Sequence, residues 1–417
     1  MTRSGSRILT THVGSLIRPA DLLARSKAAK ESPQDLARYE QTLRCTTVDV
    51  VEQQIKAGID IVNDGEFGKS SWSKYVLDRL TGFEWRADSN YEPVWLGRDR
   101  IRFRQFMQDE FPRGATGVPG HVCVAPISYC GHEAIRRNIA ALKAALAAAG
   151  VEEGFLTAVA PGSATYDSSN EYYKDDRDYV FAVAEALREE YLEIINAGLI
   201  LQVDDAVLAN MYDDLMQHGP ARYRQWAELR VEALNHALRG IPEDRVRYHV
   251  CFGSWHVPHM ADAPLEAIAP LIVKVRAGAY AIEAANVRHE HEWRVWQTTK
   301  LPAGKILIPG VVTHHTTTVE HPRLVADRIV QFAKLVGREN VIAGTDCGFA
   351  QLETYQRVHP QVMWAKLNAL SEGARLASQE LWGEIRPVQP SLRSRDASYG
   401  GSAVAKGEGG KDRPYVA

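Results

Sequence analysis

Residues 200–205 read Ile200-Leu-Gln-Val-Asp-Asp205, a short apolar run that ends in two carboxylates. The same pattern of an apolar or β-branched run followed by polar residues recurs along the chain, and it alternates with stretches of helical periodicity. This alternation is typical of a parallel sheet covered by helices. The predicted strands lie at residues 8–15, 59–66, 155–161, 200–205, 245–252, 279–286, 305–312 and 341–347. Eight such strands predict an α/β fold, the (β/α)8 TIM barrel.

Two segments interrupt this alternation. Residues 81–130 are rich in aromatic, Arg and Gly residues with strand-like pieces, which predicts an inserted β-meander over one mouth of the barrel. From Ser391 onward the chain is rich in Ser, Gly and Lys, and its apolar content is too low for independent folding. We therefore expect one barrel domain at residues 1–390, followed by a flexible tail at residues 391–417.

The composition restricts the partners and the compartment of the protein. A hydrophobic content of 45% with 24% charged residues is enough to build a sizeable core. The net charge of -3, without a basic stripe that carries aromatic residues, argues against a nucleic-acid partner. We find neither a signal-like N-terminus nor an apolar run of the ~18 residues that a membrane span needs. We therefore expect a cytoplasmic protein without membrane contact, whose five cysteines stay reduced.

Polar residues collect at the C-terminal ends of the predicted strands, where barrel enzymes carry their catalytic groups. His249 and Cys251 are two residues apart on one strand, so their side chains share a face. Glu283 ends the next strand and Cys347 ends the last one. Thiolate, imidazole and carboxylate ligands in a tetrahedral set favour Zn²⁺. Spacing alone leaves open the alternative of a buried histidine and two buried cysteines without a metal.

A second pair of histidines is also spaced for metal binding. His289 and His291 are two residues apart, in a charged stretch that leads into Trp293. A solvated or supporting role is the alternative, and the charged surroundings favour it over metal binding.

Eight short motifs stand at or near the predicted strand ends. They are THVGSL at residues 11–16, DGEF at 64–67, LQVDD at 201–205, YHVC at 248–251, IE at 282–283, GVV at 310–312, VEHP at 319–322 and AGTDCG at 343–348. Together they resemble the catalytic barrel of cobalamin-independent methionine synthase and its short single-barrel relatives, which include epoxyalkane:coenzyme M transferase. The resemblance covers residues 7–385. It implies a zinc enzyme in which a zinc-bound thiolate attacks an activated methyl or alkyl carbon.

The resemblance also implies roles for single residues. By position, the zinc ligands of the family fall on His249, Cys251, Glu283 and Cys347.

In the methionine synthase branch, the amino-acid part of homocysteine is held by groups that match Gly14, Ser15, Glu66 and Asp204, and His12 lies in the same motif as the first two. Two carboxylates can bind an ammonium group, and N–H groups of a turn can donate to a carboxylate. We count Asp204 as a catalytic residue as well. The alternative is that these residues brace the barrel mouth.

His315 matches the histidine that follows the GVV strand in the family, which resembles a general acid placed to protonate the leaving group. His314 takes that role instead if the match slips by one position.

The chain also departs from methionine synthase. It has no counterpart of the duplicated N-terminal barrel that helps to hold folate there, so the identity of the alkyl donor stays open.

We expect a small-molecule thiol and a methyl or alkyl donor as substrates, with methyl transfer to homocysteine or a related thiol as the first interpretation. Addition of a coenzyme M-like thiol to an epoxide is the alternative. A zinc hydrolase or lyase is less favoured because two thiolates make zinc a weak Lewis acid, and a non-catalytic binding protein less still. The short relatives suggest a homo-oligomer.

Overall fold

The computed structural model describes residues 1–29, 32–86, 98–110, 120–166, 168–254, 256–353 and 356–383. The strands are β1 (Leu9–Thr10), β2 (Val62–Asn63), β3 (Phe83–Arg86), β4 (Gly120–Cys123), β5 (Gly154–Val159), β6 (Ser168–Asn170), β7 (Ile200–Asp205), β8 (Val246–Val250), β9 (Ala279–Ile282), β10 (Ile306–Val312) and β11 (Ile342–Thr345). The α-helices are α1 (Ala20–Ala28), α2 (Pro33–Lys56), α3 (Asp99–Arg102), α4 (Arg104–Glu110), α5 (His132–Ala149), α6 (Pro161–Tyr166), α7 (Asp176–Asn196), α8 (Val207–Asn210), α9 (Tyr212–Met216), α10 (Pro220–Ala237), α11 (Leu265–Ile272), α12 (Val295–Thr298), α13 (Pro322–Val336) and α14 (Pro360–Trp382). The tail predicted at residues 391–417 lies outside the described residues.

Eight of the strands form one parallel sheet in the order β1-β11-β10-β9-β8-β7-β5-β2. A parallel bridge between Thr11 and Ile61 joins the segment after β1 to the segment before β2, so the two edges of the sheet meet. The strands are almost wholly buried, as expected when side chains fill the interior and helices cover the outside. The predicted (β/α)8 barrel is confirmed. Among the described helices, none has both the length and the apolar character that a membrane crossing requires.

The inserted segment differs in detail from a β-meander. Strands β3 and β4 pair antiparallel, and the segment also contains the short helices α3 and α4. The third strand of this small sheet is β6, which pairs parallel with β4 and comes from the connection that follows β5. Because two strands alone are marginally stable, β6 supplies the additional pairing. Residues 87–97 and 111–119 of the predicted insertion lie outside the described part of the chain.

The first two barrel strands are shorter than predicted. Strand β1 ends at Thr10 and β2 ends at Asn63, whereas the sequence pattern extends both to the polar residues that follow. Gly14 and Gly65 have φ angles of 145° and 68°, a region that favours glycine, and they turn the chain out of the sheet. The THVGSL and DGEF motifs therefore form loops over the C-terminal mouth of the barrel.

Side-chain alternation sorts the polar residues of β7 and β8 between the two faces of the sheet. Asp204 is paired in register with His249. Arg247, two residues before His249, donates to Thr11 Oγ1 at 3.0 Å and lies over the Phe155 ring inside the barrel. Asp205 instead accepts a hydrogen bond from Tyr248 Oη at 2.8 Å, on the helix side. Asp204 and His249 therefore face the barrel axis together.

Candidate metal centre

Three of the four predicted zinc ligands meet at the C-terminal mouth of the barrel. The sulfurs of Cys251 and Cys347 are 3.5 Å apart, and all candidate ligand atoms of these cysteines and His249 lie within 4.8 Å of one another. Two thiolates on a tetrahedral zinc ion are roughly 3.8 Å apart, because each Zn–S bond is about 2.3 Å. Within the described ranges this is the one group of three or more such residues that could hold a metal ion.

Hydrogen-bond donors surround the two sulfurs. The Gly253 N–H donates to Cys251 Sγ at 3.3 Å, and Ser254 Oγ donates to Cys347 Sγ at 3.1 Å. Gln351 Nε2 approaches Cys347 Sγ at 3.7 Å. The hydrogen bond between the two cysteines holds the pKa of Cys347 well below its ordinary value and raises the pKa of Cys251 well above it. The pair therefore releases a first proton readily, and the thiolate that results is the form that binds metals.

His249 is the clearest indication that the group suits a metal ion. Its side chain is buried, and neither ring nitrogen meets the geometry of a hydrogen bond within the described structure. Burial lowers the pKa of His249, but the neighbouring Cys347 thiol outweighs this and raises it, so the ring lies beside that sulfur. A buried polar group without a partner costs free energy, so such groups usually mark a bound ion, a water or a functional role. An imidazole nitrogen beside two cysteine sulfurs matches the donor set that zinc prefers.

Glu283 lies beside His249, Cys251 and Cys347, but it is not one of the residues whose ligand atoms all lie within 4.8 Å of one another. Its Oε1 accepts from the Phe252 N–H at 3.1 Å, and its Oε2 accepts from Asn286 Nδ2 at 2.8 Å. Burial raises the pKa of Glu283 well above its ordinary value, and the neighbouring charges of Asp346 and Cys347 raise it further. A cation would relieve this repulsion. Its role as fourth ligand stays a prediction.

Asp346 holds the ends of two strands together, a role that the sequence did not reveal. Its Oδ1 accepts from the Ala284 and Ala285 N–H groups, both at 2.8 Å, and its Oδ2 accepts from Asn286 Nδ2 at 3.2 Å. Because Asp346 precedes Cys347, these bonds fix the thiol that follows β11 relative to the segment that carries Glu283. The only signal in the sequence was its position beside a predicted ligand.

We expect Asp346→Ala to weaken zinc binding about 10- to 100-fold, the usual cost of losing a group that orients metal ligands. Zinc affinity measured by competition with a chelator checks this. Asp327→Ala, which changes an exposed carboxylate of α13, is the control. Equal zinc affinity in the two variants would show that Asp346 does not orient the ligands.

The predicted amino-acid pocket lies next to the thiols. A Cβ atom on Gly14 would lie 2.5 Å from Glu66 Oε1, so only glycine allows this backbone to approach the carboxylate. A Cβ atom on Gly348 would lie 2.0 Å from Ser15 Oγ, and the Ala350 N–H donates to that oxygen at 3.3 Å. The Gly14–Ser15 turn therefore lies between Glu66 and the loop that follows Cys347.

Glu66 and Asp204 are two buried carboxylates that influence each other. Burial raises the pKa of Glu66, and burial together with the charge of Glu66 raises the pKa of Asp204 to about 7. Lys69, which the sequence analysis missed, lowers both pKa values through its charge, and its ammonium donates to Thr157 O at 2.5 Å and Oγ1 at 2.6 Å. Two partly compensated carboxylates form a suitable environment for a substrate cation.

His12 is engaged elsewhere. Its Nε2 is 2.7 Å from Gln54 Oε1 on α2, and the same amide oxygen accepts from the Asn63 N–H at 3.0 Å. Burial lowers the pKa of His12 to about 4, so the ring is neutral and donates to Gln54. These contacts brace β1, α2 and β2, while the buried Nδ1 makes no hydrogen bond within the described residues. The substrate-binding role of His12 stays a prediction.

His314 and His315 follow β10 at the same mouth, with ring centroids 4.0 Å apart. His314 is completely buried, and burial lowers its pKa well below the ordinary value. His315 is partly exposed, and burial together with the charges of His259 and Arg357 lowers its pKa to about 3. Both rings are therefore neutral near pH 7.

The second histidine pair does not gather metal ligands. His289 Nδ1 lies 2.7 Å from Glu292 Oε2, and its Nε2 lies 3.1 Å from Asp262 Oδ2. Burial lowers the pKa of His289, but these two carboxylates outweigh it and raise the pKa to about 10. His289 is thus an imidazolium in an ion-pair network.

Comparison with known proteins agrees with this geometry. The family described as cobalamin-independent synthase, catalytic domain, matches residues 122–367. Methionine synthase from Saccharolobus solfataricus is 25% identical over 386 residues, which is 89% of this chain and 95% of the relative. That of Thermococcus kodakarensis is 22% identical over 398 residues, covering 92% and 97%.

Two solved structures share the fold. A B12-independent methionine synthase from Shewanella sp. W3-18-1, in complex with selenomethionine, has a TM-score of 0.66 at 21% identity and covers 90% of this chain and 99% of that chain. A putative vitamin-B12 independent methionine synthase from Listeria monocytogenes has a TM-score of 0.61 at 19% identity, covering 91% and 100%.

Proposed function

The chain belongs to the cobalamin-independent synthase catalytic-domain family, whose model matches more than half of it, and from this we propose that it is a zinc-dependent S-alkyltransferase that acts on a thiol. The observation that carries the proposal is the pair of cysteine sulfurs 3.5 Å apart, with the buried His249 placed so that the three ligand atoms lie within 4.8 Å of one another. Methyl transfer to homocysteine is the reaction proposed first, because the relatives are named methionine synthases.

His249, Cys251 and Cys347 would hold the zinc ion, with Glu283 as the fourth ligand. A zinc ion in this thiolate-rich set lowers the pKa of an incoming thiol while leaving the thiolate nucleophilic. The protein's own contribution is to hold the ligands in place. Ser254 and the Gly253 N–H donate to the sulfurs, and Asp346 fixes the strand ends that carry two of the ligands.

The substrate thiol would be positioned by its amino-acid end. We assign its ammonium group to Glu66 and Asp204, and its carboxylate to the turn at Gly14 and Ser15. Burial raises the pKa values of both carboxylates, and the charge of Glu66 raises that of Asp204 further. A bound cation would stabilise both negative charges, which supports this assignment. Asp204 lies in register with His249, so a thiol that is held there lies close to the metal ligands.

His315 would protonate the atom that leaves the transferred group. We prefer it to His314 because His315 lies partly exposed at the mouth, whereas His314 is completely buried. With its pKa lowered to about 3, the ring is neutral near pH 7, so it must first take up a proton, such as the one that the substrate thiol releases, and then pass that proton to the leaving atom.

An assay of zinc-loaded protein separates the candidate reactions. Homocysteine is incubated with a panel of methyl donors, and coenzyme M is incubated with an epoxide, with product formation followed by mass spectrometry. Methionine formation supports the first reading, and a thioether formed only from the epoxide supports the alternative. Hydrolysis of a donor that does not depend on thiol would contradict both and favour a zinc hydrolase.

We also predict a pH dependence for recognition of the amino group. Asp204, with its pKa raised to about 7, loses its negative charge as the pH falls below that value and binds an ammonium group less well. The KM of homocysteine should therefore rise relative to that of 4-mercaptobutanoate, which lacks the amino group, as the pH falls from 8 to 6. In Asp204→Asn we expect the ratio of the homocysteine KM to the 4-mercaptobutanoate KM to be about 10- to 100-fold higher at pH 8 than in the parent protein. We also expect this ratio to lose its pH dependence.

Steady-state kinetics with the two thiols measure the ratio, and any effect of pH on the thiol group itself cancels. Asp178→Asn changes an exposed carboxylate of α7 and should behave like the parent protein. An unchanged ratio in Asp204→Asn would remove Asp204 from the amino-acid site.

A further inference from the structure

We propose that the barrel mouth carries an anion-binding subsite, formed by Arg357 with the imidazoles of His256, His259 and His315, for a carboxylate, sulfonate or phosphate group of one of the two substrates. The inference rests on the proposed function, since it concerns substrates of the same site. The subsite would lie at the barrel mouth beside the ends of β10 and β11. It would bind an anion, whereas Glu66 and Asp204 would bind a cation.

Arg357 lies close to the candidate metal ligands. Its side chain is buried, with a relative exposure of 6%. Its Nε donates to Gln351 Oε1 at 3.0 Å, and Gln351 Nε2 in turn approaches Cys347 Sγ at 3.7 Å. The guanidinium is thus connected to a metal ligand through one neutral amide. A buried guanidinium is strongly stabilised by an anion, because its planar N–H groups match two oxygen atoms.

Three histidine rings lie close to His315, on which the charge of Arg357 acts. The His315 ring centroid lies 5.7 Å from that of His256, 5.5 Å from that of His259 and 4.0 Å from that of His314. The Nε2 of His315 and both ring nitrogens of His314 are buried and make no hydrogen bond inside the described ranges. They are polar atoms that a bound group with oxygen atoms can satisfy.

The charges around these rings favour an anion over a cation. After burial, the charge of Arg357 is among the causes that lower the pKa values of His256, His314 and His315. The acidic group that acts on His315 is Asp262, and its two oxygens already accept from His259 and His289. A bound anion would offset Arg357 and allow His315 to hold a proton.

The backbone at His259 supports a functional role for this position. His259 has a φ angle of 56°, in the left-handed region that residues other than glycine seldom adopt. Its Nδ1 lies 3.0 Å from Asp262 Oδ1, which fixes the ring so that Nε2 points away from Asp262. Strained backbone of this kind is concentrated at ligand and active sites.

Calorimetric titration of zinc-loaded protein with inorganic sulfate, in a buffer free of other oxyanions, tests the subsite without any turnover. We expect saturable binding to the parent protein, at least about 10-fold weaker in Arg357→Gln and largely retained in Arg357→Lys. Arg375→Gln changes an exposed ion pair of α14 and should bind sulfate like the parent protein. Zinc content and thermal midpoint establish that each variant is folded.

Two further measurements identify the substrate that carries the anionic group. Competition of sulfate with coenzyme M, but not with 2-mercaptoethanol, assigns the group to the thiol. No competition, with a KM for the alkyl donor at least about 10-fold higher in Arg357→Gln, assigns it to the donor.

The proposal is overturned if sulfate does not bind saturably, if it binds Arg357→Gln as tightly as the parent, or if bound sulfate affects neither substrate. Because sulfate binding needs no reaction, a failure of the transferase assay would not mimic these results.

Discussion

Cys347→Ala is expected to yield a folded protein that retains no stoichiometric zinc and has no transferase activity. Cys347 supplies one of the two sulfurs of the group, which lie 3.5 Å apart. Without it, the site keeps one sulfur, one imidazole and one carboxylate. The loss in zinc affinity should exceed the about 100-fold that follows from removing a supporting hydrogen bond. Metal analysis after dialysis, together with the activity assay, measures both effects.

The control for this variant is Cys130→Ala, which removes an exposed thiol. It should retain zinc and activity. Cys251→Ser tests the same site with a smaller change in shape, and we expect it to lose zinc as Cys347→Ala does. Stoichiometric zinc retained in Cys347→Ala would contradict the assignment of four ligands.

His315→Ala is expected to lower kcat by about 10²- to 10⁴-fold, the usual contribution of a general acid. Zinc content should stay unchanged, because His315 is not one of the predicted zinc ligands. His315→Gln, which keeps a polar side chain without an ionisable ring, should be equally impaired. Single-turnover rates separate this effect on chemistry from effects on product release.

His314→Ala decides between the two neighbouring histidines. We expect it to lower thermal stability more than kcat, because His314 is completely buried. His291→Gln, at an exposed position, is the neutral control. A loss of kcat in His314→Ala with normal kcat in His315→Ala would transfer the role to His314, and normal kcat in both would remove a histidine acid from the mechanism.

The barrel and the core of the candidate metal site could be predicted from local sequence. Strands buried on both faces are nearly continuous apolar runs, as in β7 and β10, and this pattern is visible without structural information. The two-residue period of a strand places His249 and Cys251 on one face, and barrel closure brings β11 beside β10 and β1. The same period explains why Asp204 faces the axis while Asp205 faces the helices.

The remaining features depend on contacts between residues far apart in the chain, which local patterns do not encode. The bonds from Ala284 and Ala285 to Asp346 span about 60 residues, and they require the exact positions of β9 and β11. The pairing of β4 with β6 is also a contact between segments that are far apart in the chain. The bond from His12 to Gln54 on α2 is another contact of this kind, which the THVGSL motif does not indicate.

Zinc X-ray absorption of the purified protein, with and without homocysteine or coenzyme M, tests the proposed chemistry most directly. We predict a zinc site with two sulfur ligands, from Cys251 and Cys347, that gains a third sulfur when the substrate thiol is added. The thiol that produces this change is the acceptor. A protein that binds no zinc, or a zinc site whose sulfur number does not change with either thiol, would leave the barrel intact and contradict the proposed function.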